Sequence, residues 1–327
     1  LAELVLWIGY LQWHFRTRGD VNPPEPVVRD FHNIENRDAL LAYDRVEPLL
    51  DEKGQPVTVW DGVTMKPSPI TGELVPDESA RRTVERYVNA RKAAWPAADF
   101  IVGNPPFIGN KRMRAALGDG YVEALRAAWP EVPESADFVM FWWHQAAQLT
   151  RQGGCERFGL ITTNSIRQSF NRRVVEGHLT GKDQPLSLRF AVPDHPWVDA
   201  TEGASVRISM TVGAQSGGEG CVSQVVRETP KEDGEVAVEM VRRNGVVQAD
   251  LTVGPAVFET RLLRSNAGLA TQGVILVGEG FRLTKDELPQ FEPDLAVRPR
   301  AIRPYMIGKD LMQRPAERYV IDLNRPP

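Results

Sequence analysis

The chain of 327 residues has no run of about 18 apolar residues, so it offers no helical membrane span. Its apolar opening, Leu1 to Leu11, carries Glu3 and lacks the basic flank and small-residue cleavage site of a secretory signal. Only two cysteines occur, Cys155 and Cys221, far apart; no CxxC knuckle can form, and both read as reduced thiols of a cytoplasmic protein. The five histidines make no HExxH or other close pair, so no metal site is expected. A basic average is also missing: the net charge is −4. That counts against a bulk nucleic-acid binder without excluding one, because phosphate contact needs local basic patches. Three such patches exist. Lys111, Arg112 and Arg114 form the first, and Arg167, Arg172 and Arg173 the second. The third runs from Arg298 to Arg325 and includes Arg303 and Lys309. Each could equally be a solvated face.

What is present is an alternation of helix and strand signals. Leu4, Trp7, Ile8, Leu11 and Phe15 recur at helical spacing and predict a core-facing amphipathic helix, broken by Pro23, Pro24 and Pro26. Phe31–Ile34 reads as a short strand. Residues 47–78, rich in Gly, Pro and Asp, read as a surface hairpin or loop, and Ser79–Trp95 as a helix with Val84, Tyr87 and Val88 on one face. Asp99–Gly103 is a short apolar strand. Helices are expected around Lys111–Trp129 and over Ala136–Gln152, the second stopped by Gly153-Gly154. Phe158–Thr162 is a buried-type strand, and Leu186–Val192 with Val206–Val212 a strand pair. This pattern predicts an α/β sheet covered by helices. After Gly213 the character turns to Val-rich strands, Val222–Val226 and Val236–Val241, and Gly273–Phe281 reads as strand and turn.

The sharpest chemical signal is Asn104-Pro105-Pro106-Phe107, directly after the Asp99–Gly103 strand. Methylating an adenine amino group is hard because its lone pair is delocalised into the ring. Acceptors for both amine hydrogens favour a tetrahedral nitrogen aimed at a methyl donor. The Asn104 side-chain carbonyl and the Pro105 backbone carbonyl can be those acceptors, two prolines fix the corner, and Phe107 offers a stacking face. Such an amine lies inside a duplex, so base flipping is implied. The alternative is a plain turn, since Asn-Pro starts turns and Pro-Pro is rigid; the preceding strand and following aromatic favour the catalytic reading.

Asp99–Phe107 resembles motif IV of the N6-adenine DNA methyltransferases. The wider chain is similar to the methylase and early specificity regions of MmeI-like single-chain restriction-modification enzymes. The similarity runs through Leu6–Trp13, Asn33–Leu41, Asn104–Arg114, Ala136–Ala146, Phe158–Ile166, Ala204–Met210 and Ile302–Leu311, in the family's order. It implies a Rossmann-like S-adenosylmethionine-dependent sheet and double-stranded DNA as partner, in a bacterial or archaeal cytoplasm. Asn104, Pro105, Pro106 and Phe107 would hold the target base. Asp38, with Ala39 and Asn104, would bind the cofactor; alone, Asp38 reads as a helix N-terminal acid. Thr163, Asn164, Ser165 and Trp197 would line the base pocket, although a capped turn and a core aromatic are the plainer readings. Lys111, Arg112, Arg114, Arg303 and Lys309 would face DNA. The implied domains are 1–213 catalytic, 214–256 a β-rich linker or extension, and 257–327 the beginning of a target-recognition domain. The family's glycine-rich FxGxG loop is absent; Gly278-Glu279-Gly280 is misplaced for it. We therefore expect a fragment, truncated before Leu1 by its first cofactor-binding strands, with any nuclease domain also upstream. Two other functions remain open: methylation of protein glutamine or RNA guanine N2, served by similar Asn-Pro-Pro-aromatic loops, and a DNA-recognition module without catalysis.

Overall fold

The computed structural model describes residues 2–23, 34–69, 72–181, 183–198, 205–215, 218–230, 236–254, 264–266, 269, 276, 279–291, 301–307 and 318–322. The chain forms two units, Leu1–Ala256 and Val257–Pro327. The first opens with helix α1 (Ala2–Arg18). Its apolar residues do not enter a core, contrary to expectation: Leu4, Val5, Leu6, Ile8, Trp13 and Phe15 are exposed. Only His14 is buried, its Nε2 against the Val21 carbonyl at 2.9 Å. The strand expected over Phe31–Ile34 falls mostly outside the described residues; Ile34 itself is not in a strand.

A long antiparallel ribbon follows. Its strands are β1 (Leu41–Ala42), β2 (Arg45–Pro48), β3 (Thr58–Trp60), β4 (Met65–Pro67), β5 (Leu74–Pro76), β6 (Arg81–Thr83), β7 (Glu85–Val88) and β8 (Arg91–Lys92). They nest as β1 with β8, β2 with β7, β3 with β6 and β4 with β5. Aspartates shape its turns: Asp51 Oδ1 accepts the N–H groups of Lys53 and Gln55, and Asp61 Oδ1 those of Val63 and Thr64. The helix expected over Ser79–Trp95 is therefore corrected. Val84, Tyr87 and Val88 mimic a helical stripe, but the segment is the return arm of the ribbon, paired from Arg81↔Trp60 to Val88↔Arg45. Tyr87 packs edge-on to Tyr43 at 4.9 Å and Tyr121 at 5.7 Å, which holds the ribbon's base on the body.

Strand β9 (Phe100–Gly103) enters the main sheet. Helices α2 (Asn110–Leu117), α3 (Asp119–Ala128) and α4 (Val139–Arg151) connect it to β10 (Arg157–Thr163). The single helix expected over Lys111–Trp129 is split at Gly118, whose φ of 86° suits glycine and ends α2. Next come α5 (Ser169–Leu179), β11 (Leu186–Val198), β12 (Ser205–Gln215), β13 (Gly220–Pro230) and β14 (Val236–Gly245). The six strands order as β14-β13-β11-β12-β10-β9. Pairs β9–β10 and β11–β13 are parallel and the others antiparallel. The large mixed sheet is thus an α/β arrangement, and the Val-rich strands β13 and β14 extend it. Among the described residues nothing pairs with the outer side of β9, where Phe100 and Val102 are 59% and 86% exposed.

Alternation along β10 sends Phe158, Leu160 and Thr162 to the buried face. Helix α4 packs on the sheet, and its Val139, Met140, Phe141, Trp143, Ala146 and Ala147 are all buried. Trp143 is fully buried, meets Phe158 edge-on at 5.2 Å and donates from Nε1 to Thr211 Oγ1 at 3.0 Å. Truncating such an aromatic costs about 3–5 kcal/mol. The second unit contains β15 (Arg282–Thr284), β16 (Ile302–Pro304) and β17 (Arg318–Ile321) in the order β15-β17-β16. Of the expected Gly273–Phe281 strand and turn, most lies outside the described residues; Glu279–Phe281 is a 3-10 turn.

Candidate functional site

Strands β9, β10, β11 and β13 run the same way, so their carboxyl ends share one edge of the sheet. The Asn104–Phe107 corner leaves that edge from β9, Thr163–Ser165 leaves it from β10, and Trp197 stands near the end of β11. Thr163 and His195 both pair with Ile208 of β12. Two strand spacings therefore separate them, roughly 10 Å. Ligands of α/β sheets characteristically bind beyond such carboxyl ends.

The corner itself has an ordered exposure. Asn104 and Pro106 are exposed, Pro105 is buried and Phe107 half-buried. The buried proline anchors the turn while the asparagine amide stays open to an incoming group. The following residues are clamped: Ile108 N–H donates to the Pro106 carbonyl at 3.2 Å, and the Ile108 carbonyl accepts Phe138 N–H at 2.9 Å.

Asp137, just before α4, completes the clamp. An acid there would ordinarily cap its own helix. Instead Oδ1 accepts the N–H of Asn110, the first residue of α2, at 2.9 Å. Gly109, which precedes it, has no side chain to do so. Oδ2 accepts Ser165 Oγ–H and Asn171 Nδ2–H, both at 2.7 Å. Asn171 is 4% exposed and takes the Asp137 N–H on its own Oδ1 at 2.8 Å. The Ser165 proton goes to the carboxylate, so Thr163 Oγ1 is the donor in its 2.6 Å contact with Ser165 Oγ. Asn164 donates from Nδ2 to Asp194 Oδ1 at 3.2 Å, and Arg207 bridges Asp194 to Glu228. Its hydrogen bonds to Glu228 and then to Asp194 raise the Arg207 pKa. The Thr163 and Ser165 hydroxyls thus belong to a strut between loops, and Trp197 is 38% exposed.

Asp38 lies outside this network. Its Oδ1 accepts the N–H groups of Leu40 and Leu41, and its Oδ2 accepts Tyr121 O–H at 2.7 Å. Burial, then this hydrogen bond, push the Tyr121 phenol well above its ordinary pKa. A carboxylate oxygen offers about two acceptor positions, so Oδ1 is filled and Oδ2 keeps one. The neighbouring Ala39 carbonyl accepts Trp95 Nε1–H at 2.6 Å.

Of the expected DNA-facing residues, Lys111 and Arg112 are exposed and form no ion pair among the described residues. They border a cavity of about 410 Å³ that also touches Asn110, Asp137, Gln168 and Phe170. Arg114 is tied to Asp119 at 3.0 Å and to Glu123. Arg303, in the second unit, pairs with Asp322 at 3.4 Å, and Lys309 lies outside the described residues. Sequence pattern does not single out Asp137, Asn171 or Tyr121. Asp137 carries a signal, an acid opening a helix, but one that points to ordinary capping.

Residues 61–222 match the family model described as MmeI, DNA-methyltransferase domain. Among solved structures, one relative is the Type IIL restriction-modification enzyme MmeI in complex with DNA. It is 18% identical with a TM-score of 0.49, covering 70% of this chain and 30% of that one. Another, from Vibrio vulnificus YJ016, is described as a modification subunit of a type I restriction enzyme; it is 16% identical with a TM-score of 0.31, covering 43% of this chain and 27% of that one. The chain thus spans less than a third of either relative. None of the curated proteins matches it. The segment 61–222, which holds the Asn-Pro-Pro-Phe corner and the Asp137 strut, is thus similar to the MmeI-type DNA-methyltransferase domains.

Proposed function

We propose that the protein methylates the exocyclic N6 of an adenine flipped out of double-stranded DNA, within a restriction-modification system, using S-adenosylmethionine as donor. The observation that carries this reading is the corner at the sheet's carboxyl edge, with Asn104 open to solvent above a buried Pro105. Asn104 Oδ1 and the Pro105 carbonyl accept the two amine hydrogens, and Phe107 stacks on the purine. The same acceptors stabilise the positive charge that develops on nitrogen; the proton leaves afterwards. S-adenosylmethionine supplies the electrophilic methyl group. Asp38 and Ala39 hold the cofactor's adenine end, and Thr163, Asn164, Ser165 and Trp197 border the base. Lys111, Arg112, Arg114, Arg303 and Lys309 meet the DNA backbone.

The sheet is read as a Rossmann-like one. Strand β9, which carries the corner, is the edge strand of that sheet among the described residues. The test is methyl transfer from labelled S-adenosylmethionine by the full-length protein to duplex DNA, followed by nucleoside analysis. N6-methyladenine is the expected product. Transfer to protein glutamine or RNA guanine instead would overturn the DNA reading. DNA binding without cofactor binding would leave a recognition module.

A further inference from the structure

We propose that Asp137 is the positioning residue of the Asn104–Phe107 corner, coupling it to the loop after β10; this rests on the reading of that corner as the base-methylating loop. The corner has few fixings of its own. Past Pro105, its only backbone hydrogen bonds among the described residues are the two made by Ile108. The next fixed point is Asn110 N–H on Asp137 Oδ1. Asp137 is in turn held by groups from two other segments. Ser165 comes from the loop after β10, and the buried Asn171 from α5 grips both the Asp137 backbone N–H and its carboxylate. One carboxylate thus joins the loops that follow two adjacent parallel strands. Its partners are 27, 28 and 34 residues away in sequence, so the lock forms only when the sheet edge is assembled.

The chemistry requires a carboxylate and not merely a polar side chain of this size. All three partners are donors: an amide N–H, a hydroxyl already receiving a hydrogen bond from Thr163, and a carboxamide NH2. A carboxylate accepts from all of them. An amide in its place turns one oxygen into a donor, which then faces the Asn110 N–H on one side or Ser165 and Asn171 on the other, so the bridge breaks in either orientation. The corner then loses its tie to β10 with no cavity opened in the core. A misplacement of about 1 Å in a reacting group can cost about 100-fold in rate.

The test compares Asp137→Asn and Ser165→Ala with wild type in the full-length protein, by steady-state methyl transfer, thermal melting and amide hydrogen exchange. For Asp137→Asn we expect kcat to fall about 10- to 100-fold with the KM for DNA within twofold, because base-stacking and phosphate-facing groups are untouched. Ser165→Ala keeps two of the three bonds and should fall severalfold; it carries the test if Asp137→Asn fails to fold. Wild-type kcat in both variants, or a KM that rises as kcat falls, would overturn the proposal. The strut is also read without catalysis: Asn110 N–H should exchange faster in Asp137→Asn than in wild type, and unchanged exchange refutes it. A wild-type protein that methylates no adenine would fail the parent reading alone, leaving that exchange result to decide the strut.

Discussion

The buried histidine pair makes the protein's acid stability predictable. His144 of α4 and His178 of α5 are 8% and 5% exposed, and His178 Nε2 meets His144 Nδ1 at 3.0 Å. Trp143 and Trp129 pack edge-on against them. Burial holds both imidazoles neutral, lowering His144 to about 4 and His178 to about 3; the neighbouring His144 and Arg151 push the same way on His178. The unfolded chain takes up protons near the ordinary value of about 6.5. Between those limits the unfolded state binds more protons, so stability is full above pH 6.5 and falls as the pH drops towards the folded values. At 1.36 kcal/mol per pKa unit, the loss at pH 5 is on the order of 2 kcal/mol for each imidazole. Asp44, Glu47, Asp61 and Asp77 have lowered values through hydrogen bonds to their neighbours, so their contributions fade only at lower pH. Urea unfolding at pH 7.5 and pH 5.0 should therefore show a drop of several kcal/mol in wild type and a nearly flat response in a His144→Gln, His178→Gln double variant. Equal stability at both pH values, or an undiminished drop in the double variant, would refute the reasoning.

Three further outcomes are expected. At Gly120, a Cβ would lie 1.8 Å from the Glu85 carbonyl oxygen, so Gly120→Ala must push the ribbon's base off α3. Thermal melting should show a loss of about 1–3 kcal/mol, and an unchanged melt would contradict that packing. Replacing Lys111 and Arg112 together by alanine should reduce the salt slope of DNA binding by about 0.9 for each phosphate the pair neutralises, whereas an unchanged slope removes them from the interface. Phe107→Ala should weaken capture of a flipped base, read as a smaller fluorescence rise from 2-aminopurine at the target position; a full rise would deny the stacking role.

Local pattern makes part of this legible. The strand before the corner, α4 with its Gly-Gly stop and the strands between Phe158 and Val241 appear where the pattern predicts them, and β10 shows the cause most plainly in its alternating burial. The ribbon is legible only in part: Gly, Pro and Asp mark residues 47–78 as a surface hairpin or loop, but its return arm escapes. Both of its faces meet solvent, so no apolar alternation marks it, and Val84, Tyr87 and Val88 fall at helical spacing by coincidence. The apolar stripe of α1 announces a helix but not its partner, and among the described residues it has none. The candidate site splits in the same way. Asn104–Phe107 is a local motif, visible in four residues. Asp137 is not, since its role depends on Asn110, Ser165 and Asn171 arriving from three other segments. Asp38 likewise finds Tyr121 across 83 residues.

The most direct test of the central claim removes a single acceptor. In the full-length protein, Asn104→Ala should cut methyl transfer to duplex DNA by about 100-fold or more, since the lost carbonyl acts on the charge that develops at the transition state. DNA affinity should stay within a few-fold, because Asn104 is exposed and the corner remains anchored by Pro105. Transfer at the wild-type rate by Asn104→Ala would contradict the account.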